Sequence, residues 1–463
     1  MNSFNGLGQR TVDIGQVLDE GAFTALQKAV VLIASIALVL DGFDGQLIGY
    51  AIPSIIKEWG ITRSAFIPAV AIGLVGMALG SAFTGLLADR FGRRMSLIVA
   101  VIFFGAATSS VGFAHNVTDI AMLRFVAGLG IGGALPVGTT MTAEFTPARQ
   151  RTMSITITCI CVPLGGMLAG LFAGYVLPLY GWRGLFFIGG AIPMVCGLML
   201  LAFLPESPRF LARREHRWPE LRKLLSRMAR PTMHGTVFTD ISEQVSEKGE
   251  GVKALFKRGV MRDTLAIWCG FFMCLVAVYS AFSWLPTMLA SEGLSLAIAG
   301  SGLTAWNLGG VIGGLACAAA IARFGSRWPM VIAAAGGAAS AFVLQGVDPG
   351  KSTNLFIFGL GVHGMFVCAI QCTLYAVCAY VYTTSIRATG TAWALAFGRI
   401  GSISSAFLGA ILISAGGASA YLELLGVSMA LVTVSLLVIK RHIPAVRADE
   451  RLIEKASPVS VNE

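Results

Sequence analysis

The chain of 463 residues is 56% apolar and only 13% charged, about half the charge density of a soluble domain. A water-soluble fold is excluded, because too little polar side chain exists to cover so much apolar surface. The net charge of +10 does not mark a nucleic-acid binder, since the basic residues lie in short loops rather than on one folded face.

The start of the chain, Met1 to Lys28, is polar and carries acids. It lacks the basic start, short apolar run and small-residue cleavage site of a signal peptide. Crossing about 30 Å of hydrocarbon takes about 20 apolar residues. Twelve such spans follow, near 28–50, 65–88, 95–115, 119–142, 153–177, 183–204, 264–289, 297–321, 328–347, 353–382, 388–414 and 419–439. Only helices satisfy their own backbone in lipid at this length, so the expected fold is all-α and polytopic. The nine cysteines, among them Cys159, Cys161, Cys269, Cys274, Cys368 and Cys372, fall within apolar stretches. With no histidine at metal-ligand spacing, they are packing residues rather than a metal or disulfide framework.

Between spans six and seven, residues 205–262 hold 13 Lys/Arg and 7 Asp/Glu, a linker with room for short amphipathic helices. The expected organisation is a tail over 1–27, a six-helix bundle over 28–204, this linker, a second bundle over 263–440 and a tail over 441–463. With both termini cytoplasmic, the cytoplasmic loops and tails hold 28 of the 34 Lys/Arg. The opposite side holds four, Lys57, Arg63, Arg183 and Lys351. Without the linker the ratio is still 15 to 4, so the positive-inside rule sets the orientation.

The run Gly85-Leu-Leu-Ala-Asp-Arg-Phe-Gly-Arg-Arg94 follows span two, and Ala318-Ala-Ala-Ile-Ala-Arg-Phe-Gly-Ser-Arg327 follows span eight. Repeated six-helix units place a substrate site near mid-membrane, between halves that rock about it. At these residues the chain resembles the major facilitator superfamily. The second copy lacks the acid, with Ala322 where Asp89 stands. The resemblance implies two pseudo-symmetric six-helix bundles. It also implies a gating loop at Gly85, Asp89, Arg90, Gly92, Arg93 and Arg94, in which Asp89 latches the cytoplasmic side, with Arg149 and Arg151 as candidate partners. The run Leu204-Pro-Glu-Ser-Pro-Arg209 ends span six at its prolines, and Glu206 can pair with Arg209 across the turn. It resembles a run shared by sugar porters and organic-ion carriers of that superfamily.

Ionisable side chains at membrane depth mark substrate and ion paths by default. Asp41 and Asp44 share a face of span one, about 20 and 24 Å from Lys28 at 1.5 Å per residue. Arg124 enters span four from the opposite side, within about two turns of that surface. These three therefore share one half of the bilayer, where the acids compensate the guanidinium and one of them takes up a proton. Arg399 lies about 18 Å into span eleven, near the midplane, where a guanidinium suits a carboxylate held by two parallel hydrogen bonds. The alternative for Arg399 is a structural ion pair, for which Glu423 is too shallow.

The run Asp41-Gly-Phe-Asp44-Gly-Gln-Leu-Ile-Gly-Tyr50 resembles span one of the aromatic acid:proton symporters. That family resemblance implies proton-coupled uptake of hydroxybenzoate-, protocatechuate- or phenylpropionate-type acids across a bacterial inner membrane. Phe43, Trp306, Trp393 and Phe397 are candidates to sandwich the ring, although packing explains any one of them. His363 is either a proton relay or a hydrogen-bonded interhelical histidine.

Glycines spaced by four, at Gly166, Gly170 and Gly174 and again around Gly309 to Gly314, suit close helix contact. Gly128-Leu-Gly-Ile-Gly-Gly133 lies inside an apolar helix with no strand before it, so it does not bind a nucleotide. Without a Walker loop, the proton gradient is the expected driving force, with no cofactor and a monomeric carrier as partner of acid, proton and bilayer. A sugar, polyol or organic-cation carrier is the alternative, against which the two intramembrane arginines argue. A membrane-embedded enzyme or sensor lacks any catalytic constellation or signalling domain.

Overall fold

A computed structural model describes residues 3–4, 10–230, 236–240, 252–257, 260–382 and 386–445. The remainder of the predicted tails and linker lies outside the described residues. Before the membrane come a short strand β1 (Ser3–Phe4), β2 (Arg10–Asp13) and α1 (Ile14–Glu20). The first bundle comprises α2 (Ala25–Trp59), α3 (Arg63–Phe91), α4 (Arg93–Val111), α5 (Val117–Phe145) and α6 (Ala148–Phe203). The linker contributes α7 (Pro208–Ala212), α8 (Trp218–Arg227) and β3 (Val237–Thr239). The second bundle comprises α9 (Met261–Ser291), α10 (Leu296–Phe324), α11 (Arg327–Gln345), α12 (Thr353–Val381) and α13 (Arg387–Val438).

Ten of these helices are long and apolar enough to cross a membrane, yet they make twelve crossings. α6 has 56 residues and α13 has 52, about 84 and 78 Å at 1.5 Å per residue, far more than one bilayer needs. Each reverses at glycine. Gly181 takes φ 65° and ψ −173°, and Gly417 takes φ 60° beside Gly416, conformations closed to side chains with a Cβ.

α2 starts at a capping box, in which Thr24 and Gln27 satisfy each other's backbone. It runs on to Trp59, beyond the predicted end near residue 50, with Pro53 buried inside it. Gln27 also donates to the Phe145 carbonyl at 2.9 Å, tying the start of α2 to the end of α5.

The two bundles repeat one packing scheme. α2 packs on α6 and α3 on α5, while α4 contacts both α5 and α6. In the second bundle α9 packs on α13 and α10 on α12, while α11 contacts both α12 and α13. The glycines explain two of these pairs. A Cβ on Gly76, Gly80 or Gly132 would run into the facing backbone of α3 or α5, and one on Gly309 or Gly313 into that of α12. The stretch Gly128 to Gly133 is thus a helix-packing face.

Across the seam, α2 meets α9, α6 meets α10, and α3 meets α13. A buried amide pair joins α2 to α10. Asn307 Nδ2 donates to Gln46 Oε1 at 2.7 Å, and Gln46 Nε2 donates back to Asn307 Oδ1 at 3.2 Å. One turn further along, the Tyr50 hydroxyl donates to the Gly166 carbonyl at 3.1 Å. A Cβ on Gly166 would collide with the Gln46 amide, and one on Gly170 with Thr304 and Tyr50. These small residues admit a polar cluster between helices.

Outside the membrane the all-α expectation needs an amendment. β2 pairs antiparallel with β1 and parallel with β3, so the N-terminal tail and the linker share a three-stranded sheet. Thr11, Val12, Val237 and Thr239 are β-branched and lie clear of the bilayer, where strand pairing satisfies the backbone. α1 docks by Ile14 and Leu18, both fully buried. The linker's α8 is amphipathic as expected, with Leu221, Leu224 and Leu225 inside.

Gly132→Ala should lower the melting temperature of the purified protein, since overpacking of this kind costs about 1–3 kcal/mol. Gly85→Ala, which would meet no atom within 4 Å, should leave it unchanged or higher. Thermal unfolding of the two variants in the same detergent checks this.

Candidate functional site

Three residues of spacing on α2 separate Asp41 and Asp44 by about 60° around the helix, enough to give them different partners. Asp44 faces its own bundle and is fully buried. Thr108 Oγ1 donates to Asp44 Oδ2 at 2.9 Å, and Arg124 Nη1 lies 3.9 Å from the same oxygen. Arg124 Nη2 donates to the Gly45 carbonyl at 3.4 Å. The Arg124–Asp44 pair is therefore held at the outer limit of an ion pair, and Arg124 Nη1 makes no hydrogen bond.

Asp41 faces the seam. Its Oδ1 has no hydrogen-bond partner, and the charges acting on it are those of Arg399 and Asp44. Arg399, half-buried on α13, donates from Nη1 to the Tyr279 hydroxyl of α9 at 3.0 Å.

Two small cavities occupy this region. One of about 40 Å³ is lined by residues that include Asp41, Gln46, Arg124 and Tyr279. The other, about 30 Å³, is lined by residues that include Asp41, Tyr279, Gln371, Tyr375 and Arg399. The seam thus brings together Asp41, Arg124 and Arg399 from both bundles, and Asp44 stands behind Arg124.

The aromatic candidates lie elsewhere. Phe43, about 200° around α2 from Asp41, packs on Phe172 with ring centroids 5.3 Å apart. Trp306 is fully buried against Phe282 at 5.4 Å. Phe397 and Trp393 both stack on Trp268, at 4.1 and 6.1 Å, because they leave α13 on faces away from Arg399. None of the four lines either cavity. His363 is buried against α11, where its Nδ1 lies 3.1 Å from both the Gly337 carbonyl and Ser340 Oγ. It contacts no seam acid and is an interhelical histidine rather than a relay at this site.

Sequence reasoning missed Tyr279, Gln371 and Tyr375. Their signal was weak but present, as polar groups inside apolar spans at the depth of Arg399. Gln46 was noted, but its partner Asn307 was not.

The profile of the Major Facilitator Superfamily matches residues 34–315. The gallate transporter of Pseudomonas putida is 31% identical over 405 residues, covering 88% of this chain and 90% of its own. The 4-hydroxybenzoate transporter PcaK of Pseudomonas putida is 33% identical over 417 residues, covering 90% and 93%. The chain belongs to the major facilitator superfamily. Its fold matches the partially occluded inward-open xylose transporter XylE of E. coli with a TM-score of 0.69 at 20% identity, over 90% of this chain and 99% of that one. It is a multi-pass membrane transporter, not an enzyme.

The transporter's signature loop forms a second polar cluster. Asp89 is largely exposed and pairs with Arg93 one turn on at 2.9 Å. The expected partners Arg149 and Arg151 do not reach it, and Arg151 pairs with Asp19 of α1 instead. Arg93 is buried, with Nε 3.4 Å from Glu144, an acid at the end of α5 that also accepts from Ser207 Oγ.

Gly92, at φ 104°, leaves no room for a Cβ beside Glu206. Glu206 does not pair with Arg209. It accepts from the Arg94 and Ser207 backbone amides at 3.1 and 2.9 Å, while Arg209 reaches Asp19 and Asp240. Gly85 of the same loop, by contrast, has open space around it. The second copy is clamped in the same way by the segment after its own bundle, where Ser326 exchanges hydrogen bonds with the Ile443 backbone, both at 2.9 Å.

Glu206→Ala strips buried backbone amides of their acceptor, a loss of about 1–3 kcal/mol, and should lower the melting temperature. Asp89→Asn alters only the largely exposed acid of its pair, a contact worth under about 1 kcal/mol, and should melt as wild type. Thermal unfolding of both variants measures the difference.

Proposed function

We propose that this transporter carries a small aromatic carboxylate together with protons across the bacterial inner membrane into the cytoplasm. It works by alternating access as a monomer, with both termini cytoplasmic and the proton gradient in place of any cofactor. The observation that carries the reading is Asp41, an acid without a hydrogen bond on Oδ1 that lines cavities shared with Arg124 on one side and Arg399 on the other. The gallate and 4-hydroxybenzoate transporters among its relatives support the substrate class. The excess of Lys and Arg on the side of the termini supports the orientation.

In this mechanism Arg399 and Arg124 receive the carboxylate, whose loss of water must be offset by fixed positive charge. Asp41 competes for the charge of Arg399 while ionised. Taking up a proton silences that competition, so proton and substrate each favour the other's binding. Asp44 keeps Arg124 in place with the help of Thr108. The loop from Gly85 through Asp89, Arg90, Gly92, Arg93 and Arg94, clamped by Glu144 and Glu206, latches the cytoplasmic side while the far side is open.

Uptake into vesicles should follow an inward proton gradient and stop with a protonophore, for aromatic acids but not for sugars or organic cations. Full accumulation with the gradient collapsed would remove the symport. Equilibrium affinity for the transported acid should rise as pH falls, with a span of about 5–150-fold. Asp41→Asn should flatten that dependence, whereas Asp44→Asn should weaken binding and keep it. Arg399→Lys, which loses the planar fork, should bind less well at every pH.

A further inference from the structure

The two seam cavities measure about 40 and 30 Å³, whereas a cavity of about 150 Å³ accommodates a single benzene. Neither lobe holds an aromatic ring. Both share five lining residues, Asp41, Met77, Ile131, Val162 and Tyr279, and these form the wall between them. Tyr279 is the largest of the five. It also belongs to the opposite bundle from the other four, so rocking of the halves carries it relative to them.

Its hydroxyl is engaged as well, because Arg399 Nη1 donates to it at 3.0 Å. Its ring leans edge-on against Phe282, with centroids 5.6 Å apart at 70°. One lobe contains Arg124 and the other Arg399. A single aromatic acid can touch both guanidiniums only after the wall has moved.

We propose that Tyr279 is a positioning and specificity-determining residue of the transport site. Its ring is the movable wall between an Arg124 lobe and an Arg399 lobe, and its hydroxyl holds Arg399 aimed into the site. This rests on the aromatic-carboxylate reading above. When the acid binds, the ring swings off the wall and the two lobes become one pocket, whose breadth the tyrosine limits. Tyr279→Phe keeps the wall and loses the aim of Arg399. A smaller residue removes the wall.

The test uses the full-length protein in lipid nanodiscs, with benzoic acid and the broader 2-naphthoic acid as probes and calorimetry as the readout. Tyr279→Phe should weaken both acids by about 10-fold, the worth of a hydrogen bond to a charged group. It should leave the naphthoate-to-benzoate affinity ratio unchanged. Tyr279→Ala should raise that ratio by about 10-fold or more, by admitting the second ring. If Tyr279→Ala is not monodisperse, Tyr279→Leu reads the same ratio with apolar bulk retained.

A ratio equal to wild type in the Ala or Leu variant overturns the wall. Wild-type affinity in the Phe variant overturns the aiming of Arg399. Failure of wild type to bind either acid overturns the substrate class and this proposal with it. That outcome is distinct from a wild type that binds both acids while its variants keep the ratio.

Discussion

A guanidinium at membrane depth must find negative charge or hydrogen-bond acceptors within the protein, because the hydrocarbon offers none. Two such groups govern the seam. Arg124 is met from within its own bundle by Asp44 at 3.9 Å and by the Gly45 carbonyl. Arg399 is met by the Tyr279 hydroxyl and, across the seam, by the charge of Asp41. In the Arg124 arrangement Nη1 is left without a hydrogen bond, a demand that, in the proposed mechanism, a carboxylate from solution meets. A fully compensated arginine would be a structural pillar with nothing left to bind.

The amide pair Gln46–Asn307 follows from the same constraint with the opposite outcome. Each side chain completes the other, so the pair joins the halves without leaving an unmet charge. Neutral amides suit a contact that has to part, since water can replace both hydrogen bonds when the seam opens. An ion pair there would leave two charges to be resolvated. The same helix, α2, thus carries one finished contact at Gln46 and one unfinished at Asp41, about a turn and a half apart.

The polar clusters outside the bilayer show how the repeat is used. In each bundle the segment after the last helix folds back onto the signature loop, through Glu206 in the first and through Ser326 and Ile443 in the second. The first copy adds the buried Arg93–Glu144 contact. The second has Ser326 where Arg93 stands, and Ala322 where Asp89 stands. The two loops share a clamp and differ in charge, which leaves the first as the electrostatic element of the pair.

Much of this was legible along the chain. Span lengths, the Lys and Arg asymmetry and the repeated Arg-Phe-Gly runs are local properties, and the bilayer turns them directly into topology, because lipid admits only helices of sufficient length. The exceptional charges Asp41, Asp44, Arg124 and Arg399 were equally visible, since an ionisable group in an apolar span stands out whatever its partners. Which group faces which was not visible. Phe43 and Phe397 share helices with Asp41 and Arg399, but rotation by about 200° turns them away from the site. Asp89 lies near Arg149 in the predicted topology, yet Arg93 one turn away satisfies it first. Glu144 and Glu206 look like ordinary helix-end acids until the chain folds them onto Arg93 and the Gly92 turn. Tyr279 enters the site only because α9 and α13 pack along their length and bring its hydroxyl to Arg399. Sequence alone determined the spans and the costly charges. The partners of those charges depend on helix rotation and packing between distant segments, and only the tertiary structure decided them.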